Sequence, residues 1–130
     1  MMSDGAKKHY ARYLENVSLA AEMEQHMPND RGWGCVVRFY AALHLMNAYL
    51  VDKSNVRLKS GATEHKERKA AMAQCPELRD APDKYRRLKD LSELVRYNVE
   101  FEYAEEHRED AIAWLEKIVA IVEPKLKKTS

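Results

Sequence analysis

Glycine and proline are scarce in this chain, with four of each among 130 residues. All-β sandwiches and barrels need many tight turns, which these residues usually make, so the scarcity argues against a strand-rich fold. Charged residues make up 33% of the chain and hydrophobic residues 45%, which is not the composition of a disordered protein. We therefore expect one helical domain, because 130 residues bury a core without help from disulfides or metals.

Cysteine is also rare, and long apolar runs are missing. Cys35 and Cys75 are far apart and do not have the Cys-x-x-Cys spacing of a metal site, which predicts two reduced thiols. The N-terminus is polar, and no segment has the roughly 18 uninterrupted apolar residues of a membrane span. These features predict a cytoplasmic protein whose single domain spans residues 1–130, with flexible ends at 1–7 and 127–130.

An excess of one charge is absent as well. The 22 lysines and arginines nearly balance the 21 aspartates and glutamates, and the net charge is +1. Such a chain is not a general polyanion binder. Any surface for nucleic acid must therefore be a local cluster of basic residues.

Apolar residues recur at helical spacing through most of the chain. Proline, glycine and short polar segments separate the periodic stretches. They predict helices at about 8–27, 32–52, 64–75 and 83–103, and a fifth through 111–122 that Pro124 ends or kinks near Glu123. The simplest architecture is an all-α, antiparallel bundle of four long helices and one short helix.

Two features of the helical pattern predict packing. Trp33 and Trp114 fall on the apolar stripes of the second and fifth helices, so both rings are expected in the core. Leu94, Tyr97 and Phe101 form another stripe on the fourth helix, on the side opposite its main apolar face. This second stripe is explained either by packing inside one subunit or by a homodimer interface.

Several short motifs follow one another in the order found in the HEPN family. The segment from Trp33 to His44 resembles the HEPN helix that carries a tryptophan, small and aromatic residues and a histidine. His65 and Arg68 resemble the His-x-x-Arg start of a short helix. Further similar segments are Tyr85 with Leu88, Leu91 with Ser92, Arg96 with Tyr97, and the closing helix from Asp110 to Leu126.

The resemblance implies a helical bundle, frequent homodimerisation, and a family of metal-independent ribonucleases, toxins and non-catalytic binding proteins. Catalytic members carry an arginine followed by a histidine within about four to six residues, often as Arg-Asn-x-x-x-His-x-Tyr. Arg96 and Tyr103 match this pattern, but Phe101 stands at the histidine position and Tyr97 at the asparagine position. This departure argues against efficient catalysis.

Two other histidines, His65 and His44, are candidate catalytic groups. His65 and Arg68 share a helix face, so an imidazole and a guanidinium there are suited to proton transfer and phosphate stabilisation, together with Arg96. His65 is equally explained by a hydrogen bond to a loop or by exposure to solvent. Arg38 and His44 have the catalytic spacing but lie about 120° apart around a helix, and His44 is more simply a buried partner of Asn47.

Basic residues concentrate in two segments. One comprises Arg57, Lys59, Lys66, Arg68 and Lys69, and the other comprises Lys84, Arg86, Arg87 and Lys89. If the two segments adjoin, they form a phosphate-binding patch whose expected RNA contacts are Arg57, Lys59, Lys66, Arg68, Lys69, Arg86 and Arg87. The alternative is that both are solvated helix faces.

No metal-ligand motif, phosphate loop or dinucleotide fingerprint is present, so neither a metal nor a cofactor is predicted. The preferred interpretation is a HEPN-like homodimer that binds RNA or a protein partner without efficient catalysis, within a defence or toxin–antitoxin-type system. One alternative is a metal-independent ribonuclease that uses Arg96, His65 and Arg68 at a dimer cleft. Another is a purely structural interaction module.

Overall fold

Helices account for all the regular structure in the described part of the chain. The computed structural model describes residues 2–27, 32–54 and 64–129, and the side chains of 54, 64, 65 and 127–129 lie outside this description. The helices are α1 (Asp4–His26), α2 (Trp33–Ser54), α3 (Glu64–Ala73), α4 (Ala81–Tyr97) and α5 (Glu105–Thr129), with a 3-10 turn at Pro76–Leu78 between α3 and α4. The all-helical prediction is confirmed.

The core is built around α2. This helix packs against α1, α4 and α5, and from Ala41 to Leu50 every residue except His44 is buried. Contacts on several sides explain why this half of α2 is apolar nearly all the way round. Cys35 and Cys75 are buried in the same core and are not joined by a disulfide.

The stretch Trp33–Lys53 is long and apolar enough to cross a membrane by length and composition alone. However, 78% of its most apolar window is buried inside the fold. This burial is typical of the core helix of a soluble domain.

Gly32 lets the start of α2 approach α4 closely. Its φ is +96°, which favours glycine, and an added Cβ would lie 2.8 Å from Cγ2 of Val95 and 2.9 Å from Cδ1 of Tyr103. A larger residue would therefore push α2 away from the end of α4 and from the segment that follows it.

The predicted end of α4 at residue 103 is wrong, because the helix ends at Tyr97. Asn98 leaves the helical conformation, and its side-chain Oδ1 accepts a hydrogen bond from the Glu100 amide at 3.1 Å. Its carbonyl also accepts from the Phe101 amide at 3.0 Å. Asparagine competes for backbone hydrogen bonds in this way and favours turns over helix interiors. Phe101 consequently lies beyond the helix that carries Leu94 and Tyr97.

The first helix begins earlier than predicted and the last helix continues further. Ser3 caps α1, because its Oγ accepts from the Ala6 amide at 3.2 Å, so the helix predicted from about residue 8 begins at Asp4. Pro124 lies inside α5 instead of ending it. Leu126, two residues after Pro124, is 1% exposed, and this burial holds the last part of α5 on the core.

Trp33 was predicted in the core and is instead 51% exposed. The reason is that α2 is apolar on more than one face, so periodicity alone does not identify the buried one. Val36 and Phe39 point into the core, whereas Trp33 and Tyr40 are exposed. Trp114 is half-buried and packs against the core cluster, in closer agreement with the prediction.

Candidate nucleic-acid interface

A cleft lies between α3 and α4 at the point where the two basic segments come together. Its volume is about 680 Å³. Lys66 and Lys69 line it from α3, and Arg86 and Lys89 line it from α4. The adjoining arrangement that the sequence left open is therefore present for Lys66 and Lys69 of the first segment and for Arg86 and Lys89 of the second.

One of the two acidic residues in the cleft lining, Asp83, is paired with arginines. Asp83 accepts from Nη2 of Arg86 at 2.7 Å and from Nε of Arg87 at 3.0 Å. These hydrogen bonds, with that of Arg86 the stronger cause, lower the pKa of Asp83 to about 2. Asp90 is the other carboxylate in the lining, so four cations face two carboxylates. The cleft is electropositive although the chain as a whole is nearly neutral.

The two lysines of α3 are the cations best placed to meet a ligand. Lys89 forms an ion pair with Glu93 at 3.0 Å, and Arg86 is engaged by Asp83. Lys66 and Lys69 are exposed, and no ion pair links either to another described side chain. Their charge remains available for phosphate.

The end of the cleft nearest the 3-10 turn is apolar. Met72 and Ala73 lie in the last turn of α3, and Pro82 lies in the first turn of α4. The ring of Tyr85 continues this surface toward the basic residues. The cleft thus combines an apolar end with a basic end.

Arg68, expected to contact RNA, is buried and only 1% exposed. Its Nε donates to Oδ1 of Asn47 at 2.7 Å, and its Nη1 donates to the hydroxyl of Tyr85 at 3.4 Å. Arg68 therefore supports the wall of the cleft from inside, since Tyr85 is also part of the lining. A buried guanidinium needs such partners because its desolvation is costly.

Arg96 lies on a second surface, which we call the aromatic surface and define as Trp33, Tyr40, Leu94, Arg96 and Tyr97. Nη1 of Arg96 donates to the hydroxyls of Tyr40 at 3.2 Å and Tyr97 at 3.4 Å. The guanidinium carbon also lies 5.0 Å from the centre of the Tyr97 ring and 5.8 Å from that of Tyr40. These cation–π contacts fix the side chain on an exposed part of the protein.

Phe101, at the position where the resemblance places a histidine, packs against the ring of His107, with 5.0 Å between ring centres. Nδ1 of His107 accepts from the Ala104 amide at 2.9 Å, so a neutral imidazole carries its proton on Nε2. His107 was not predicted for this position, because no motif spacing in the sequence links it to Phe101.

A pair of histidines joins α1 to α2. Nδ1 of His9 and Nδ1 of His44 are 3.1 Å apart, so one ring donates and the other accepts. They line a shallow cavity of about 580 Å³ together with Lys8, Arg12 and Glu15. His9 was not predicted to have a role, because histidines so distant in sequence carry no spacing signal.

Arg38 and His44 have separate partners, in keeping with the interpretation that their spacing is accidental. Arg38 forms a partly buried ion pair with Glu24 of α1, and Glu24 also contacts Nε of Arg108 at 3.2 Å. Asn47, the expected partner of His44, instead accepts from Arg68. Among the described residues, no group of three or more His, Cys, Asp or Glu side chains is arranged to hold a metal.

The predicted functional residues thus lie in different parts of the structure. Lys66, Lys69 and Arg86 line the cleft, Arg87 flanks it through Asp83, and Arg96 belongs to the aromatic surface. Arg57, Lys59 and the side chain of His65 lie outside the described residues. No protein-family model matches the chain, and no match was found among curated proteins.

Proposed function

We propose that this protein is a HEPN-like homodimer that binds single-stranded RNA through the α3–α4 cleft, without efficient catalysis. The observation that supports RNA binding is the meeting of two basic segments around one electropositive cleft. Lysine and arginine side chains bind RNA by neutralising phosphates and releasing counterions. The cationic contacts are assigned to Lys66, Lys69, Arg86 and Lys89, and Arg68 is assigned a structural role because it is buried.

The geometry favours binding over cleavage. Arg96 is held by Tyr40 and Tyr97 and does not line the cleft. Arg68, the second arginine of the ribonuclease alternative, is inside the fold. General acid–base catalysis requires a proton-transfer group and a charge-stabilising group near the same reacting atoms. The burial of Arg68 disfavours that combination.

The homodimer is supported by the aromatic surface. Tyr97 is 73% exposed, and Leu94 and Trp33 are also exposed although they are large and apolar. Tryptophan, tyrosine and arginine are the residues most enriched at the energetic centres of protein interfaces. The neighbouring Glu100 and Glu102 are exposed and offer carboxylates for the partner's cations. A surface that carries both charges suits a two-fold interface, in which the same patch meets itself.

Fluorescence anisotropy with a labelled single-stranded RNA tests the binding proposal. We expect binding that weakens steeply with salt, and the double variant Lys66→Glu, Lys69→Glu should reduce affinity by at least about tenfold at low salt. The matched control, Lys7→Glu with Lys117→Glu, makes the same charge change at exposed lysines of α1 and α5. The control should retain most of the affinity.

Equal losses in the two double variants would contradict a localised site, because they would show that only overall charge matters. Circular dichroism melts of each variant establish that the folds are intact. Absence of RNA binding by the wild-type protein at micromolar concentration and low salt would contradict the proposal as a whole.

A further inference from the structure

We propose that the α3–α4 cleft holds one complete nucleotide, with its phosphate between the lysines of α3 and Arg86 and its base in the apolar end. The ligand class is a nucleoside monophosphate, either free or as the end of an RNA strand. This inference rests on the proposed RNA binding and specifies what enters the cleft.

The cleft has the size of a small-molecule pocket. Its volume of about 680 Å³ falls within the range of roughly 300–1,000 Å³ that is typical of small-molecule pockets. A surface that only follows an RNA backbone needs a row of cations and no pocket of this kind. A cavity of this size accommodates a base and a sugar as well as a phosphate.

The side chains that line the cleft divide it into an apolar end and a cationic end. Apolar contacts from Met72, Ala73 and Pro82 lie near the turn that joins the two helices, and the cations Lys66 and Lys89 lie farther from it along each helix. A nucleotide has the same division, since one end is a flat, weakly polar base and the other is an anion. Tyr85 also lines the cleft, and because it is 4% exposed only a small part of its side chain is available to contact the base.

Tyr85 is held in place by its neighbours inside the fold. Its hydroxyl accepts from Nη1 of the buried Arg68 at 3.4 Å, and its ring packs on Phe39 with 5.5 Å between centres. The ring is therefore fixed before a ligand arrives, which reduces the entropy lost on binding. Arg68, although buried, contributes to the site by positioning Tyr85.

Isothermal titration calorimetry with three probes tests the inference: adenosine 5′-monophosphate, adenosine and inorganic phosphate. We expect the nucleotide to bind with a Kd below about 1 mM and at least about tenfold more tightly than either fragment, because it uses both ends of the cleft. Lys69→Gln should weaken the nucleotide and leave adenosine unchanged. Ala73→Phe, which fills the apolar end from an exposed position, should weaken both nucleotide and adenosine.

Lys117→Gln, an exposed lysine of α5, is the control and should change no titration. A competition experiment distinguishes a free nucleotide from the end of an RNA strand. In this experiment the nucleotide competes with labelled RNA that ends in a 5′-phosphate or a 5′-hydroxyl. Preferential displacement of the phosphorylated strand identifies an RNA end as the ligand. Tight nucleotide binding that displaces neither strand identifies the free nucleotide as the ligand and contradicts RNA binding in the cleft.

Two outcomes distinguish failure of this inference from failure of the proposed function. If RNA binds through Lys66 and Lys69 but the nucleotide binds no better than phosphate, and Ala73→Phe has no effect, the one-nucleotide site is overturned and RNA binding stands. If the nucleotide binds as expected but RNA does not bind, the site is supported and the proposed function is overturned.

Discussion

Arg68 donates from Nε to Oδ1 of Asn47 across 2.7 Å, and both residues are buried. Arg68→Ala would remove this donor, leave the Asn47 oxygen without it and open a cavity, so we expect a loss of about 2–4 kcal/mol in the free energy of unfolding. Urea melts measure the loss. Lys69→Ala, at the next and exposed position, is the control and should stay within about 0.5 kcal/mol of wild type. A small effect of Arg68→Ala would show that the guanidinium is not a structural group.

The two tryptophans should differ in their contribution to stability. Trp33 is half exposed, so Trp33→Ala should cost less than about 1 kcal/mol in dilute protein, whereas Trp114→Ala should cost about 2–3 kcal/mol because that ring packs on the core. Denaturant melts at submicromolar concentration measure both without a contribution from self-association. Similar losses at the two positions would mean that Trp33 is covered within one subunit.

Tyr97→Glu should convert a homodimer to a monomer. The side chain is 73% exposed, so a charge there leaves the fold intact but is costly in a desolvated interface. Light scattering should give about twice 15.1 kDa for wild type and 15.1 kDa for the variant. Leu14→Glu, at another exposed apolar residue, is the control and should remain a dimer. A wild-type mass of 15.1 kDa at micromolar concentration would reject the homodimer.

Phe101 is a poorer position for that test than the sequence suggested. Its ring is half-buried against His107, so a charge at 101 would disturb the segment after α4 as well as an interface. The stripe was predicted from helical spacing, and that spacing fails once Asn98 ends α4. Leu94 and Tyr97 remain a pair on α4, whereas Phe101 belongs to the turn.

The cleft shows which parts of the site could be predicted from the sequence. Composition identified two basic segments, and the structure brings Lys66, Lys69 and Arg86 together because the turn at Pro76–Leu78 joins α3 to α4. The burial of Arg68 was not predictable, since helical spacing from Lys66 and Lys69 does not reveal which side of α3 faces Asn47 and Tyr85. The exposure of Trp33 was missed for a related reason, because a helix that is apolar on more than one face does not show which face lacks a neighbour.

Glu77 should make the free energy of unfolding depend on pH under acidic conditions. Its carboxylate accepts from the ammonium of Lys53 and the hydroxyl of Tyr49, which tie the 3-10 turn to α2. These bonds, with that of Lys53 the larger cause, lower the pKa of Glu77 to about 2. Burial, together with the hydrogen bond to Glu77, raises the pKa of Tyr49 to about 12. A carboxyl group whose pKa is lowered on folding stabilises the protein above its unfolded pKa, and this contribution is lost as the pH falls toward the folded pKa.

Glu77→Gln should therefore destabilise the protein by roughly 1 kcal/mol at pH 6, a modest amount because the side chain is partly in solvent. The difference from wild type should shrink between pH 4.5 and pH 2, the window between the ordinary and the lowered pKa. Thermal melts across this range measure it, with the exposed Glu116→Gln as control. A difference that does not depend on pH would show that Glu77 contributes through shape and not through charge.

Purified protein should cleave single-stranded RNA poorly in the absence of metal. Phe101 provides no proton-transfer group at the position where the resemblance requires histidine, and such a group typically contributes about 10²–10⁴ in rate. His107 lies directly against Phe101, but its Nδ1 is occupied by the Ala104 amide, which leaves only Nε2 to exchange a proton.

Labelled RNA incubated in EDTA with wild type, Arg96→Ala, His65→Ala and His107→Ala decides the question. We expect the wild-type rate to remain near that of the buffer, with no further decrease in any variant. Strong wild-type cleavage that both Arg96→Ala and His65→Ala abolish would establish the ribonuclease alternative with His65 as the proton-transfer group. Strong cleavage that is lost in Arg96→Ala and His107→Ala but kept in His65→Ala would instead show that His107 replaces the histidine missing at position 101, because its ring packs on the phenylalanine found there.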